Sequence, residues 1–160
     1  MIVVGFDPGY HRVGWGVVAS EGRAKITALD FGCIETSAAD DLPERLLAIY
    51  VAAKKVLKMH APKFVVIEKL YFAQNTTTAL KVSEARGVLL LATAELKIPV
   101  LELTNSQIKQ GMTGHGSAKK FQMQEMVRLV FGLKEKISSD DAADALACAY
   151  VGLLRSKNVQ

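Results

Sequence analysis

Phe64-Val-Val-Ile67 is a continuous run of aromatic and β-branched residues with no polar alternation, and it stops at Glu68. A strand apolar on both faces belongs inside a sheet that helices cover on both sides. The rest of the chain supplies the parts. Ile2 to Phe6, Val13 to Ala19 and Lys25 to Thr36 read as strands, with turns at Pro8-Gly9 and Glu21-Gly22. Between Leu42 and His60, Leu46, Ile49, Ala53 and Leu57 recur at helical spacing, behind Asp40-Asp41 and with Pro43 in the first turn. A second long helix is expected from Thr76 to Leu96 and a strand from Pro99 to Leu103. Helices should come next over Asn105 to Gln110, Ala118 to Val130 and Asp140 to Leu154. That order predicts an α/β fold with a five-stranded mixed β-sheet flanked by α-helices.

A chain of 160 residues can bury roughly 70% of its unfolded surface in one core, so a single domain over residues 1–160 is expected. No linker, low-complexity tract or internal repeat interrupts it. The opening apolar run is broken by Asp7, too soon for a signal segment or a spanning helix, which predicts a soluble cytoplasmic protein with no membrane role. Cys33 and Cys148 form neither a disulfide framework nor a metal-ligand spacing, which suits a reducing compartment. The net charge of +4 and pI near 9.1 favour a polyanionic partner. The excess is local: Lys109, Lys119, Lys120, Arg128, Lys134 and Lys136 stand against only Glu125 and Glu135 between Asn105 and Lys136. A phosphate backbone is a natural ligand for such a region.

Four acids carry the chemistry. Asp7 sits where an apolar strand gives way to a Pro-Gly turn, a place that suits a ligand group and equally an Asp opening a β-turn. Glu68 ends four buried apolar residues, and an acid there calls for a partner; Lys69 is one candidate. Asp141 fits a capping box with Ser138 and also the positive end of a helix dipole. Asp144 has no such excuse. It lies a turn inside a helix that is apolar nearly all round, where an uncompensated carboxylate would cost several kcal/mol or be forced to take up a proton. At i and i+3, Asp141 and Asp144 share one side of that helix, and its many alanines let that side approach a sheet closely.

Phosphodiester hydrolysis requires an activated water, a stabilised leaving oxygen and neutralised phosphoryl charge. Two divalent ions about 3.5–4 Å apart supply all three, and hard Mg²⁺ or Mn²⁺ takes oxygen ligands rather than Cys or His. Without metal, clustered carboxylates repel one another and their pKa values should rise. The segment from Gly111 to Ser117 superficially suggests a nucleotide phosphate loop, but Lys119 comes too late for that motif and the segment lies after a helix. A loop capped by Ser117 that meets DNA phosphates is the better expectation.

Six segments together resemble the RuvC family of bacterial Holliday junction resolvases. They are Gly5-Phe-Asp-Pro-Gly9 with Gly14-Trp-Gly16; Val66-Ile-Glu68 with Tyr71-Phe-Ala-Gln-Asn75; Ala79-Leu-Lys81; Glu84-Ala-Arg-Gly87; Gly116-Ser-Ala-Lys-Lys120; and Asp141-Ala-Ala-Asp-Ala-Leu-Ala147. The resemblance runs from the first strand to about Leu154. It implies a ribonuclease-H-like fold, a homodimer, and paired symmetric nicks in a four-way DNA junction. Carried onto this chain, the catalytic, metal-binding acids are Asp7, Glu68, Asp141 and Asp144. Two Mg²⁺ ions per subunit are implied, with Mn²⁺ able to substitute. Asp140 is an adjacent extra acid, and the three-residue spacing to Asp144 selects Asp141. Lys109 and Lys120 match positions that contact DNA or assist the chemistry, Lys119 stands beside them, and Tyr71 matches an aromatic that stacks on an unpaired base, an interaction worth about 1–3 kcal/mol. A partnership with the RuvA-RuvB branch-migration complex is likewise implied. The long helix from Thr76 is apolar on more faces than one sheet covers, through Val88-Leu-Leu-Leu-Ala92, which agrees with a dimer. A ribonuclease-H-like nuclease acting on other nucleic acids, such as RNA–DNA hybrids, and a non-catalytic junction-binding protein are the alternative readings.

Overall fold

The computed structural model describes residues 1–21, 25–70 and 76–156, with the side chains of 76–78 left aside. Its strands are β1 (Ile2–Asp7), β2 (Arg12–Glu21), β3 (Lys25–Glu35), β4 (Phe64–Lys69) and β5 (Val100–Thr104). Its helices are α1 (Leu42–His60), α2 (Thr76–Glu95), α3 (Asn105–Thr113), α4 (Lys120–Val130) and α5 (Asp140–Ser156). The strands form one sheet in the order β3-β2-β1-β4-β5. β1 runs antiparallel to β2 and β2 to β3, while β1, β4 and β5 run parallel, so the sheet is mixed as expected. Phe64 to Ile67 is buried throughout and lies second from the sheet edge, covered on both faces.

Alternation along each strand sorts side chains between two helical layers. Val4, Phe6, Val13, Val17, Val65 and Ile67 pack with α1 and α2. Val3, Val18, Val66 and Leu103 pack on the other face with α3, α4 and α5. Asp7 shares the parity of Val3 and Gly5, and Glu68 that of Phe64 and Val66. Both acids therefore project to the face that carries α5.

α5 lies unusually close to that face, because glycines remove the strand side chains beneath it. A Cβ on Gly5 would fall 2.3 Å from the Ala145 carbonyl oxygen, and one on Gly14 would fall 1.9 Å from the Asp141 carbonyl oxygen. The backbone of the helix thus rests on the backbone of β1 and β2, and the small side chains of Ala145 and Ala149 fit the same gap.

Three local expectations are corrected. α4 begins at Lys120 with Lys119 as its cap, because Ala118 donates to the His115 carbonyl in a turn that keeps Ser117 out of the helix. α3 continues through Gly111, which fits closely beneath Val151, and ends at Gly114 in a left-handed conformation with φ 80. Ser139 caps α5 by accepting from the Ala142 amide at 3.3 Å, so Asp141 has no capping-box role with Ser138.

Candidate active site

In the parallel pair of β1 and β4, Phe6 stands opposite Ile67. Asp7 and Glu68 come one residue later on each strand, at the carboxyl ends where open α/β sheets place their ligands. The first turns of α5 cross beside Gly14 and bring Asp141 and Asp144 to the same end. Four acids distant in sequence thus meet because two strand ends and one helix start converge.

Their electrostatics record the crowding. The Asp7 carboxyl is pushed well above the usual carboxylate range by burial first, then by the charges of Glu68, Asp144 and Asp141, with Lys120 pulling it back. Asp144 is raised to about 6, again chiefly by burial; Lys120 opposes the rise, and Glu68, Asp140 and Asp141 add to it. Burial also raises Glu68, offset by a hydrogen bond from Asn105 and by the charge of Lys109. Beneath them the fully buried Cys148 thiol is held neutral by burial and by the same acids, so it packs as an apolar side chain.

A cleft of about 160 Å³ gathers Glu68, Asp144, Lys109, Lys120, Asn105, Ile108 and Met123. Both lysines expected near the chemistry therefore line the same space as two of the acids. Lys119 is exposed at the start of α4, beside Lys120. Asp140 accepts from Gln124 and pairs with the Lys120 ammonium at 2.6 Å, tying the start of α4 to the start of α5. His11 lies against Tyr10, with ring centroids 3.9 Å apart and the planes tilted by 44°, and bonds Arg45. Tyr71 lies outside the described residues. The basic region is narrower than its lysine and arginine count suggests, since Arg128 and Lys136 are both taken up by Glu125, at 2.6 and 3.6 Å.

As a donor set, carboxylates alone suit a hard divalent cation. Burial first, and at Asp7 and Asp144 the charges of the neighbouring acids as well, raise the proton affinity of these buried carboxyls, and a divalent cation would offset both effects. Among the described residues, no three acid, thiol or imidazole groups converge on one ion-sized point. Two of the acids have partners of their own: the Asn105 amide donates to Glu68 Oε1 at 2.9 Å, and Asp141 Oδ2 faces Arg12 Nε at 3.1 Å.

Three residues around the acids escape a reading of the sequence. Arg12 and Asn105 hold Asp141 and Glu68 through those two contacts. Arg86 of α2 donates from Nε to the Glu68 carbonyl at 3.3 Å while its Nη2 pairs with Glu102, which pins α2 to the ends of β4 and β5. Glu84-Ala-Arg-Gly87 is a visible motif, but its purpose depends on which strands α2 crosses. For Asn105 a signal exists in its place directly after β5, whose Leu103 stands opposite Glu68.

A sequence model of crossover junction endodeoxyribonuclease RuvC matches residues 3–151. The chain belongs to the RuvC family. A Petrotoga mobilis RuvC is 44% identical over 150 residues, covering 94% of this chain and 91% of the relative. The structure of Thermus thermophilus RuvC in complex with a Holliday junction substrate superposes with a TM-score of 0.93 at 35% identity, over 99% of this chain and 96% of that one. A yeast mitochondrial Holliday junction resolvase, 17% identical, shares the fold with a TM-score of 0.66. The RuvC sheet order, with its parallel β1, β4 and β5 and its antiparallel β2 and β3, is ribonuclease-H-like.

Proposed function

We propose that this RuvC-family chain is a metal-dependent endonuclease that resolves four-way DNA junctions by paired symmetric nicks, in DNA recombination and repair. The observation that carries the reading is the convergence of Asp7, Glu68, Asp141 and Asp144 at one end of the sheet, with Lys109 and Lys120 in the same cleft. The four acids hold divalent metal, two Mg²⁺ ions with Mn²⁺ as a substitute. The bound metal supplies an activated water and a charge sink for the phosphoryl group. The chain's own residues do the rest. Lys109 and Lys120 meet the DNA backbone at the cleft, Lys119 meets it at the exposed start of α4, and their positive charge orients the scissile phosphate toward the acids. Asn105 and Arg86 keep Glu68 aimed from the end of β4. Tyr71, which comes soon after Glu68 in the chain, supplies the base-stacking aromatic.

Nicking two strands symmetrically calls for two sites related by a two-fold axis. Leu80, Glu84, Gly87 and Leu91 form an exposed stripe along α2, with both leucines 60% exposed. Nothing lies within 4 Å of the space above Gly87, so a partner helix can approach closely there. A second copy of the chain fits this stripe. Leu91→Glu is expected to shift the protein to monomers in sedimentation, with its helical circular dichroism unchanged and coordinated double nicking lost; an unchanged mass would overturn the assignment. Among the described residues no helix is long and apolar enough to cross a membrane. The compartment of action in this reading is the cytoplasm, where the chain works alongside the RuvA-RuvB complex.

The reading is tested with a mobile four-way junction, a linear duplex and an RNA–DNA hybrid, each incubated with Mg²⁺ or EDTA, alongside Asp7→Asn. Paired nicks confined to the junction, dependent on Mg²⁺ and absent from Asp7→Asn while its junction binding survives, are the expected result. Cleavage of the hybrid, or cutting in EDTA, would overturn it. Millimolar Mg²⁺ should also raise the melting temperature of the wild-type protein, by relieving the repulsion among its acids.

A further inference from the structure

Arg12 opens β2, and alternation along that strand places it on the same sheet face as Gly14 and Gly16, the face on which α5 rests. Its Nε lies 3.1 Å from Asp141 Oδ2 and 3.7 Å from Glu35 Oε1. The side chains of Arg12 and Asp141 are 50% and 32% exposed, so the pair sits at the rim of the acid cluster, within reach of solvent ions. We propose that Arg12 is the resident counter-ion of Asp141, which a divalent cation must displace to use that acid, so that Arg12 weakens the free protein's hold on metal. The proposal rests on the reading of the four acids as metal ligands.

A guanidinium stays charged at any pH the protein meets, so it cannot step aside by losing a proton. A divalent ion and a guanidinium on one carboxylate repel each other. Either the Arg12 contact opens or the ion is held less tightly. Glu35 offers Arg12 an alternative acceptor once Asp141 is engaged by metal, because Arg12 and Glu35 stand opposite each other in the β2–β3 register. The contact with Arg12 turns Asp141 toward the start of β2.

Isothermal titration with Mg²⁺ on the full chain, as wild type, Arg12→Gln and Arg12→Lys, tests this. Arg12→Gln is expected to bind Mg²⁺ roughly tenfold more tightly than wild type, a shift of about 1.4 kcal/mol, with Arg12→Lys between the two. Unchanged or weaker binding by Arg12→Gln overturns the proposal, since a merely structural arginine would leave affinity equal or lower on removal. A second measurement needs no variant. In wild-type protein the Arg12 Nε–Hε nuclear magnetic resonance signal should move as Mg²⁺ saturates, and a signal unmoved at saturation overturns the proposal. A wild-type protein that binds no Mg²⁺ overturns the reading of the four acids themselves, an outcome distinct from a wild type that binds and an Arg12→Gln that binds equally.

Discussion

Asp144→Asn is expected to abolish junction cleavage while making the metal-free protein more stable. The loss of activity should reach about 10³-fold or more, at least that of removing one strong group that stabilises transition-state charge, with junction binding retained. The gain in stability has a different cause. Burial, opposed by Lys120 and helped by the charges of Glu68, Asp140 and Asp141, raises the Asp144 pKa to about 6. In the folded protein Asp144 therefore keeps a proton that an unfolded chain, titrating near 3.8, has already lost. The folded state then binds more protons than the unfolded state between these two values, so stability is greatest below the lower one and falls as pH rises through about 6. Asp7 is shifted in the same direction. Wild-type protein in EDTA should thus melt at a lower temperature at pH 7.5 than at pH 5, other titrations being equal for both proteins, and Asp144→Asn should remove part of that difference. Each kcal/mol recovered is worth roughly 2–4 °C in a chain of this size. Saturating Mg²⁺ should reverse the order at pH 7.5, stabilising wild type more than the variant. An Asp144→Asn protein that cleaves within about tenfold of wild type would remove Asp144 from the chemistry.

Gly14→Ala is expected to damage fold and activity together, although Gly14 carries no functional group. An added Cβ would lie 1.9 Å from the Asp141 carbonyl oxygen and 3.0 Å from its Cβ. Neither neighbour is the tip of a flexible side chain, so relief requires the start of α5 to move away from β2. Overpacking of this kind costs about 1–3 kcal/mol. The larger consequence falls on the acids, because Asp141 and Asp144 ride on the segment that must retreat. Displacing catalytic groups by about 1 Å can cost on the order of 10²-fold in rate. Melting temperature and single-turnover junction cleavage should therefore both fall, and Mg²⁺ should stabilise the variant less than wild type. Gly14→Ala with wild-type cleavage would show that α5 need not rest on β2 for the acids to function.

Much of the fold can be read in the residues because the strands are strongly patterned. Phe64 to Ile67 demands cover on both faces and receives it. The start of α1 comes from Asp41, which accepts from the Glu44 amide, and from Pro43 in the first turn. Helix starts in the basic region are less legible. Ser117 and Ser138 both look like caps, yet Lys119 and Ser139 occupy those positions. Capping preferences are worth about 0.5–2 kcal/mol, small enough for packing of Met123, Val127 and Leu146 in one cluster to set the register instead.

The candidate site divides in the same way. Glu68 and Asp144 are conspicuous in the sequence because each is an acid in apolar surroundings whose cost needs an explanation. Asp7 and Asp141 can be excused singly by a turn and a cap, and the structure removes the second excuse by giving the cap of α5 to Ser139. The partners of the acids could not be read at all. Arg12 and Asp141 are far apart in the chain, as are Asn105 and Glu68, and a contact of that kind carries no local pattern.

Periodicity and burial cost are local properties of a chain, so the elements and the conspicuous residue types are legible in the residues alone. The residues also carry the family, through segments whose order and spacing resemble those of RuvC proteins. Which charges face one another depends on how the layers pack. Parallel pairing of β1 with β4 aligned Asp7 with Glu68, and the glycine floor under α5 set the distance from which Asp141 and Asp144 approach them. Electrostatic energy depends on separation and burial, and those are fixed only when the layers close.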